Sequence, residues 1–205
     1  MTSRRDRGRC VALVLAVLLL GTGCAWTVPQ PVLIREPRVE RVALRVGVYY
    51  PPELRDFKYR HHFTDTAYVL GEPSVRLLTD ALGLLFLEAV PSPRPGLETA
   101  LRPDLAGVIE ARIVSAGFRY PVLGKEDFFP THVTYELTLF SRSGDTVASW
   151  SSTGSRRERV SNPAGAVGTI RRSFEQAMAE SAWKLTSGFR EVAGVRGWLE
   201  KENVR

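Results

Sequence analysis

Two adjacent histidines are the first side chains to consider for metal chemistry. His61 and His62 stand close in sequence to Asp65 and Glu72, and together these residues would offer nitrogen and oxygen ligands. Neighbouring side chains on extended chain point in opposite directions, whereas histidines spaced i and i+4 on a helix converge on one ion. We therefore expect no metal site, and a solvated loop instead.

The third histidine invites comparison with a catalytic triad. His132 follows Thr131 and lies five residues after Asp127, but no G-x-S-x-G elbow or other nucleophile setting accompanies it. The sequence also lacks a P-loop and a G-x-G-x-x-G fingerprint, which are the usual backbone cradles for nucleotide phosphates. We expect a protein that is not an enzyme, with no catalytic residues and no cofactor.

Five arginines form the strongest candidate for a binding surface. They are Arg156, Arg157, Arg159, Arg171 and Arg172. Planar guanidinium groups suit phosphate and carboxylate recognition, so this cluster predicts an anionic lipid or glycan as ligand. The alternative is a solvated surface whose charge Glu158 and Glu175 partly balance.

Aromatic residues in a connection between predicted elements form a second candidate surface. They are Phe57, Tyr59, Phe63 and Tyr68. Long connections often carry binding functions, so we predict a loop that contacts a protein partner. The alternative, which the sequence leaves open, is an aromatic cluster that packs the loop onto the domain.

The N-terminus has the pattern of an export signal. Residues 1–9 are positively charged and residues 10–20 form an apolar run, which residues 21–23 end. The run is too short to span a membrane, which takes about 20 apolar residues. The stretch Leu20–Cys24 resembles a bacterial lipobox, so residues 1–23 are predicted to be removed and Cys24 to carry the lipid. The alternative is an ordinary secretory signal.

The residues after Cys24 bear on localisation. In the Gram-negative sorting system that the signal resembles, Asp after the lipidated cysteine favours retention in the inner membrane, whereas this chain has Ala25. We expect an outer-membrane protein that faces the periplasm and is anchored by its lipid. Pro29, Pro31 and Pro37 cannot propagate a helix, so residues 24–41 are predicted to form a tether.

Charge and cysteine content exclude several classes of protein. The chain has 205 residues and a formal charge of +6, of which residues 1–23 carry +3, from four arginines and one aspartate. The remainder is only mildly basic and shows no stripe of basic and aromatic residues, so we expect no nucleic-acid binding. The other cysteine, Cys10, lies in the leader, which leaves Cys24 without a disulfide partner.

Hydrophobic patterning predicts the elements of residues 42–205. Val42–Tyr50 has the composition of a strand, and a helix is expected from a capping Ser74 through Ala89 to Pro91. Ile109, Ala111 and Ile113 alternate with charged residues as in a half-buried strand.

The second half of the chain predicts a hairpin followed by a helix. Val133–Leu139 alternates apolar and polar residues, and turn residues at 141–145 precede a strand that ends at Trp150. Apolar residues from Ile170 to Leu185 follow a helical period as far as Gly188. The order β-α-β-β-β-α favours a single α+β domain, a two-layer sandwich of a mostly antiparallel four-stranded sheet with two helices on one face.

This arrangement resembles small outer-membrane lipoproteins, especially the lipopolysaccharide-assembly lipoprotein and the auxiliary lipoproteins of ABC-type transport. The resemblance lies in the lipobox at Cys24, the strand ending at Tyr49–Tyr50, the helix near Ser74, the hairpin turn at Ser143–Asp145 and the last helix. It implies a non-enzymatic accessory or scaffold subunit of an outer-membrane or periplasmic transport or assembly complex, with an envelope protein as partner. The alternative function is direct binding of an anionic lipid or glycan through the arginines.

Replacing Cys24 with Ala tests the predicted anchor. We expect Cys24→Ala to abolish metabolic labelling with fatty acid and to release the domain into the soluble periplasmic fraction. Persistent membrane association of the variant would instead point to protein contacts or to an uncleaved leader.

Overall fold

The computed structural model describes residues 25–29, 31, 40–61, 66–92, 102, 104–120, 128–159 and 165–202. The strands are β1 (Ala25–Thr27), β2 (Val42–Tyr49), β3 (Lys58–Arg60), β4 (Ala67–Val69), β5 (Phe86–Pro91), β6 (Gly107–Phe118), β7 (Phe128–Ser141) and β8 (Thr146–Arg159). The helices are α1 (Pro52–Arg55), α2 (Gly71–Leu85), α3 (Ala166–Ser187) and α4 (Ala193–Lys201), and a 3-10 turn spans Phe189–Glu191. Within these ranges no helix has the length and apolar character to cross a membrane. Cys24 and the leader lie outside the described residues.

The main sheet has five strands in the order β5-β2-β6-β7-β8. β2 runs parallel to both β5 and β6, whereas β6, β7 and β8 form an antiparallel meander. The predicted α+β class is confirmed. The predicted four strands and element order are wrong, because the chain forms a fifth strand in this sheet and a second sheet of three strands.

The smaller sheet has the order β1-β4-β3 and begins with the first described residues. Ala25–Thr27 pair in parallel with Ala67–Val69, and the Val28 N–H donates to the Val69 carbonyl at 3.2 Å. Val28 is buried in the same core as the main sheet. Residues 25–28 therefore belong to the folded domain, which corrects our prediction of a free tether for this part of 24–41.

The predicted first helix is shorter and begins earlier than the sequence pattern indicates. α2 ends at Leu85, and the next six residues form β5, which pairs with β2. Ser74 lies inside α2, where its hydroxyl donates to the Leu70 carbonyl and shares a 2.7 Å hydrogen bond with the Tyr135 hydroxyl. Ser74 is thus not a helix cap. Its hydroxyl pairs with a buried tyrosine, and burial raises the pKa of Tyr135.

The predicted hairpin and the helix after it are confirmed, but β8 continues to Arg159, past the predicted end at Trp150, and α4 follows the helix that we predict to be the last. Val133, Tyr135, Leu137 and Leu139 are buried on one face of β7, and the residues between them are only partly buried. Gly144 has a φ of 87° in the turn, a conformation that glycine adopts without steric cost. α3 ends at Gly188, as its periodicity predicts.

One hydrophobic core joins the buried faces of both long helices to the main sheet. Leu78 and Leu82 of α2, Phe174 and Met178 of α3, and Trp198 of α4 all belong to it. The other face of β6, β7 and β8 carries hydroxyl groups that bond in a row, from Ser115 to Thr134 at 3.0 Å and from Thr134 to Thr153 at 2.8 Å.

The backbone of α3 lies directly against the edge strand β8 at Gly154. A Cβ at this position would lie 1.8 Å from the Ala177 carbonyl oxygen and 2.6 Å from the Ser181 nitrogen, so only glycine fits. The close approach lets Glu180 accept from the Ser155 N–H and Lys184 donate to the Thr153 carbonyl, each at 3.0 Å. Helix side chains thereby satisfy backbone groups that an edge strand would otherwise leave open to another chain.

Substituting Gly154 tests this contact. We expect Gly154→Ala to lower the free energy of unfolding by about 1–3 kcal/mol, the usual cost of overpacking, because backbone atoms must move. The matched control is Gly168→Ala in α3, where a Cβ meets nothing within 4 Å; its stability should be unchanged or slightly raised. Equal effects of the two substitutions on urea denaturation would contradict the close packing.

Candidate functional site: an arginine cleft

A cleft of about 620 Å³ lies where β6, β7 and β8 approach the smaller sheet. Its lining residues are Tyr59, Ala116, Gly117, Phe118, Arg119, Pro130, Thr131, His132, Ser155, Arg156 and Arg157. Among the described residues, three arginines and no carboxylate contribute to this lining. We call it the arginine cleft.

Arg156 and Thr131 form the more buried part of the cleft. They are opposite each other on β8 and β7, so their side chains lie on the same side of the sheet. Thr131 is 2% exposed, and neither its hydroxyl nor the Arg156 Nε has a hydrogen-bond partner among the described residues. Buried polar groups normally have partners, so these two atoms are suited to hold a ligand or water.

Glu180 is an acidic group that interacts electrostatically with Arg156. Burial alone would raise its pKa, but the Lys184 hydrogen bond, the Ser155 N–H and the charges of Lys184 and Arg156 together lower the pKa. Its carboxylate already forms an ion pair with Lys184 at 2.9 Å. Glu180 therefore interacts mainly with Lys184 and the Ser155 N–H. The positive charge of Arg156 stays available to an anionic ligand.

Arg157 and His132 line the open side of the cleft. Alternation along a strand turns Arg157 to the face opposite Arg156, and both Arg157 and His132 are exposed. His132 lies opposite Gly117, where a Cβ would come within 3.0 Å of the imidazole ring. Glycine at 117 thus leaves space for the ring.

Tyr59 forms the wall of the cleft that the smaller sheet contributes. Its ring contacts Phe118 and Phe174, with centroids 5.7 and 5.6 Å apart. Burial raises the pKa of Tyr59, and a hydrogen bond with the Phe118 backbone only partly offsets this. Tyr59 is therefore a neutral hydroxyl at physiological pH.

The five predicted arginines do not all line one cleft. Arg156 and Arg157 line the cleft, and Arg159 lies two residues further along β8. Arg171 and Arg172 are on α3 and do not line it; Arg172 is exposed and its charge acts on Glu175. Arg119 also lines the cleft, although the sequence pattern does not indicate it; its N–H donates to the Pro130 carbonyl at 3.0 Å. Strands β6 and β7 at their full lengths bring Arg119 next to Pro130. The sequence pattern predicts only the central residues of these two strands.

The aromatic candidates pack inward where they are described. Tyr68 is fully buried and Phe57 packs partly buried against the core, which agrees with the alternative in which the aromatic residues pack this connection onto the domain. Burial raises the pKa of Tyr68 to about 12. Phe63 lies outside the described residues. Of the three that are described, Tyr59 alone lines the arginine cleft.

The histidines do not form a shared site in the described residues. His61 is 2% exposed and stacks on Phe118 with ring centroids 4.7 Å apart. His62, Asp65 and Asp127 lie outside the described residues, and within the described part of the chain no group of three potential metal ligands lies together. His132 is placed in the arginine cleft.

Anion binding by the cleft can be measured with inorganic phosphate as the probe. We expect Arg156→Ala and Arg157→Ala each to weaken binding about tenfold or more, since a hydrogen bond to a charged group contributes ~1.5–3 kcal/mol. Isothermal titration calorimetry at two salt concentrations provides the readout, and binding should weaken at the higher one. The matched control, Arg172→Ala, should bind as the parent does. Equal binding by all variants, or equal loss in the control, would contradict the site.

Comparison with known proteins adds information on the fold. No family model matches the chain, and no curated protein matches it. Among solved structures, it is similar to a Xanthomonas campestris protein of the family DUF330, with a TM-score of 0.55 and 13% identity over 87% of this chain and 99% of that one.

Two further matches have lower TM-scores. Lipoprotein GNA1162 from Neisseria meningitidis matches with a TM-score of 0.35 and 11% identity, over 64% of this chain and 94% of that one. A PelC dodecamer from Paraburkholderia phytofirmans matches with 0.37 and 15%, over 71% and 94%. The chain shares its fold with the DUF330 protein, and the resemblance to lipopolysaccharide-assembly and transport lipoproteins stays a prediction.

Proposed function

We propose that this chain is a non-enzymatic envelope lipoprotein, anchored through Cys24 to the periplasmic face of the outer membrane. In this proposal it acts as an accessory or scaffold subunit of a transport or assembly complex. The observation that carries the proposal is the position of β1. Its first residue, Ala25, directly follows the predicted lipidation site, and β1 is paired within the folded domain. The anchor would therefore hold the whole α+β domain at the membrane.

The side of β7 and β8 that faces away from α3 is the surface on which we propose that a partner protein binds. Helices cover one side of β7 and β8, and the other side presents half-exposed and exposed hydroxyl residues. Those hydroxyls already bond to one another, so the face is polar and would suit a reversible contact.

Recovery of a partner from membranes tests the accessory role. After crosslinking in intact cells, affinity purification of the lipidated protein should recover the same envelope protein in every replicate. The Cys24→Ala variant should recover much less of it, because the domain is no longer concentrated at the membrane. Failure of the lipidated protein to recover any reproducible envelope partner would remove the main support for this role.

A second candidate function is direct binding of an anionic lipid or glycan. The observation that favours it is the pair of buried polar atoms on Thr131 and Arg156 in the arginine cleft, which have no hydrogen-bond partner within the described part of the chain. Vesicles with and without phosphatidylglycerol, and a soluble anionic glycan, would separate the two ligand classes. Binding to neither probe, or binding that Arg156→Ala leaves unchanged, would reject this function.

A further inference from the structure

The pairing of the first strand defines where a lipid on Cys24 would leave the domain. Ala25 lies opposite Ala67, and Ala67 lies opposite Arg60. The His61 N–H donates to the Thr66 carbonyl at 3.0 Å, which extends the β3–β4 ladder one residue beyond that row. Ala25, which directly follows the predicted lipidation site, therefore lies at this end of the smaller sheet.

Ring contacts connect this end of the smaller sheet to one end of the main sheet. His61 contacts Tyr120 with centroids 5.0 Å apart, and Tyr120 contacts Phe129 at 5.6 Å. Phe128, the neighbour of Phe129, lies opposite Arg159 at the end of β8. The start of β1, the C-terminal end of β6, the start of β7 and the C-terminal end of β8 therefore lie at one end of the domain.

Exposed aromatic side chains are concentrated at this end. Among the described residues, the strongly exposed large apolar side chains are Trp26, Leu84, Leu87, Val114, Tyr120 and Phe128. The three aromatic ones, Trp26 (41%), Tyr120 (37%) and Phe128 (45%), belong to the end just defined. We call these three residues, with Arg157 and Arg159, the anchor end.

The chemistry of the anchor end matches that of a membrane interface. Tryptophan and tyrosine are enriched at the level of lipid headgroups, because their rings are apolar and their N–H and O–H groups are polar. Arg157 and Arg159 are exposed on β8, and alternation along the strand turns the intervening Glu158 to the helix side. Exposed arginines near an anionic membrane surface are attracted to it.

We propose that the anchor end lies directly on the membrane surface, with Trp26, Tyr120 and Phe128 in the headgroup region and the arginines against acidic headgroups. The arginine cleft, which includes Arg157, then opens close to the lipid. The hairpin turn after Ser141 points away from the membrane, at roughly 45 Å along the 14-residue strands. This inference rests on the proposed lipidation of Cys24.

Fluorescence quenching by brominated lipids tests this orientation in the lipidated protein. The protein is reconstituted into phosphatidylethanolamine–phosphatidylglycerol vesicles that contain lipids brominated near the headgroup. We expect quenching in the parent and at least a threefold smaller quenched fraction in Trp26→Phe. The matched control is Trp198→Phe, because Trp198 is 5% exposed and lies in α4 beside the hairpin turn; its quenched fraction should be no smaller than that of the parent, because only an unquenched tryptophan has been removed.

The outcomes separate this inference from the proposed function. Lipidated protein that shows no quenching, or equal quenching in Trp26→Phe and the parent, would overturn the orientation while leaving the anchor intact. A mass spectrum without lipid on Cys24 would overturn both.

A second comparison identifies what covers the anchor end. Unlipidated Cys24→Ser protein carrying Tyr120→Ser and Phe128→Ser should bind the same vesicles at least tenfold more weakly than Cys24→Ser alone. Leu84→Ser with Leu87→Ser, in the same background, is the control for lost apolar surface and should not change vesicle binding. If Tyr120→Ser with Phe128→Ser leaves vesicle binding unchanged but abolishes recovery of the crosslinked envelope protein by the lipidated chain, the anchor end is a protein interface and the proposal is wrong.

Discussion

The close packing of α3 on β8 at Gly154 is the constraint on which the rest of the structure depends. With no side chain at this position, helix backbone and strand backbone come into direct contact. Ser181 adds a 2.7 Å hydrogen bond from its hydroxyl to the Ser152 carbonyl, next to the contacts of Glu180 and Lys184 with the same strand. The edge of the main sheet is covered along this stretch, and α3 is fixed at a short distance from the sheet.

The position of α3 also determines where the smaller sheet can sit. Phe174 projects from α3 into the ring cluster that contains Tyr59, Tyr68 and Phe118. β3 and β4 carry two of these rings, and β4 in turn pairs with β1. The packing of α3 on β8 therefore determines, through this buried aromatic cluster, the position of the residues that follow Cys24. The same cluster provides one wall of the arginine cleft, so β1 and the cleft are held in a fixed relation.

Elements with strong local periodicity could be predicted from sequence, and elements made by distant pairing could not. The alternation from Val133 to Leu139 and the helical period from Ile170 to Leu185 each encode a buried face within a short segment. Strands of three residues, such as β1 and β3, carry too little local signal and exist because β4 pairs with both. Phe86–Pro91 continues the apolar spacing of α2, yet pairing with β2 makes it a strand.

The candidate site shows the same division. A local cluster of guanidinium groups indicates Arg156 and Arg157 from the sequence. Tyr59 and Arg119 reach the cleft only through the smaller sheet and the full lengths of β6 and β7, which no local pattern predicts. Arg171 and Arg172 were grouped with them through sequence proximity alone, and the long helix that carries them does not line the cleft.

Amide hydrogen exchange of the first residues in the lipidated, membrane-bound protein tests most directly whether the anchor leads straight into the folded domain. The Val28 N–H, bonded to the Val69 carbonyl, and the amides of β1 should exchange slowly, at rates close to those of β4. Exchange of residues 26–28 at the rate of an unstructured peptide, with β4 still protected, would show a free tether and contradict the docked anchor strand.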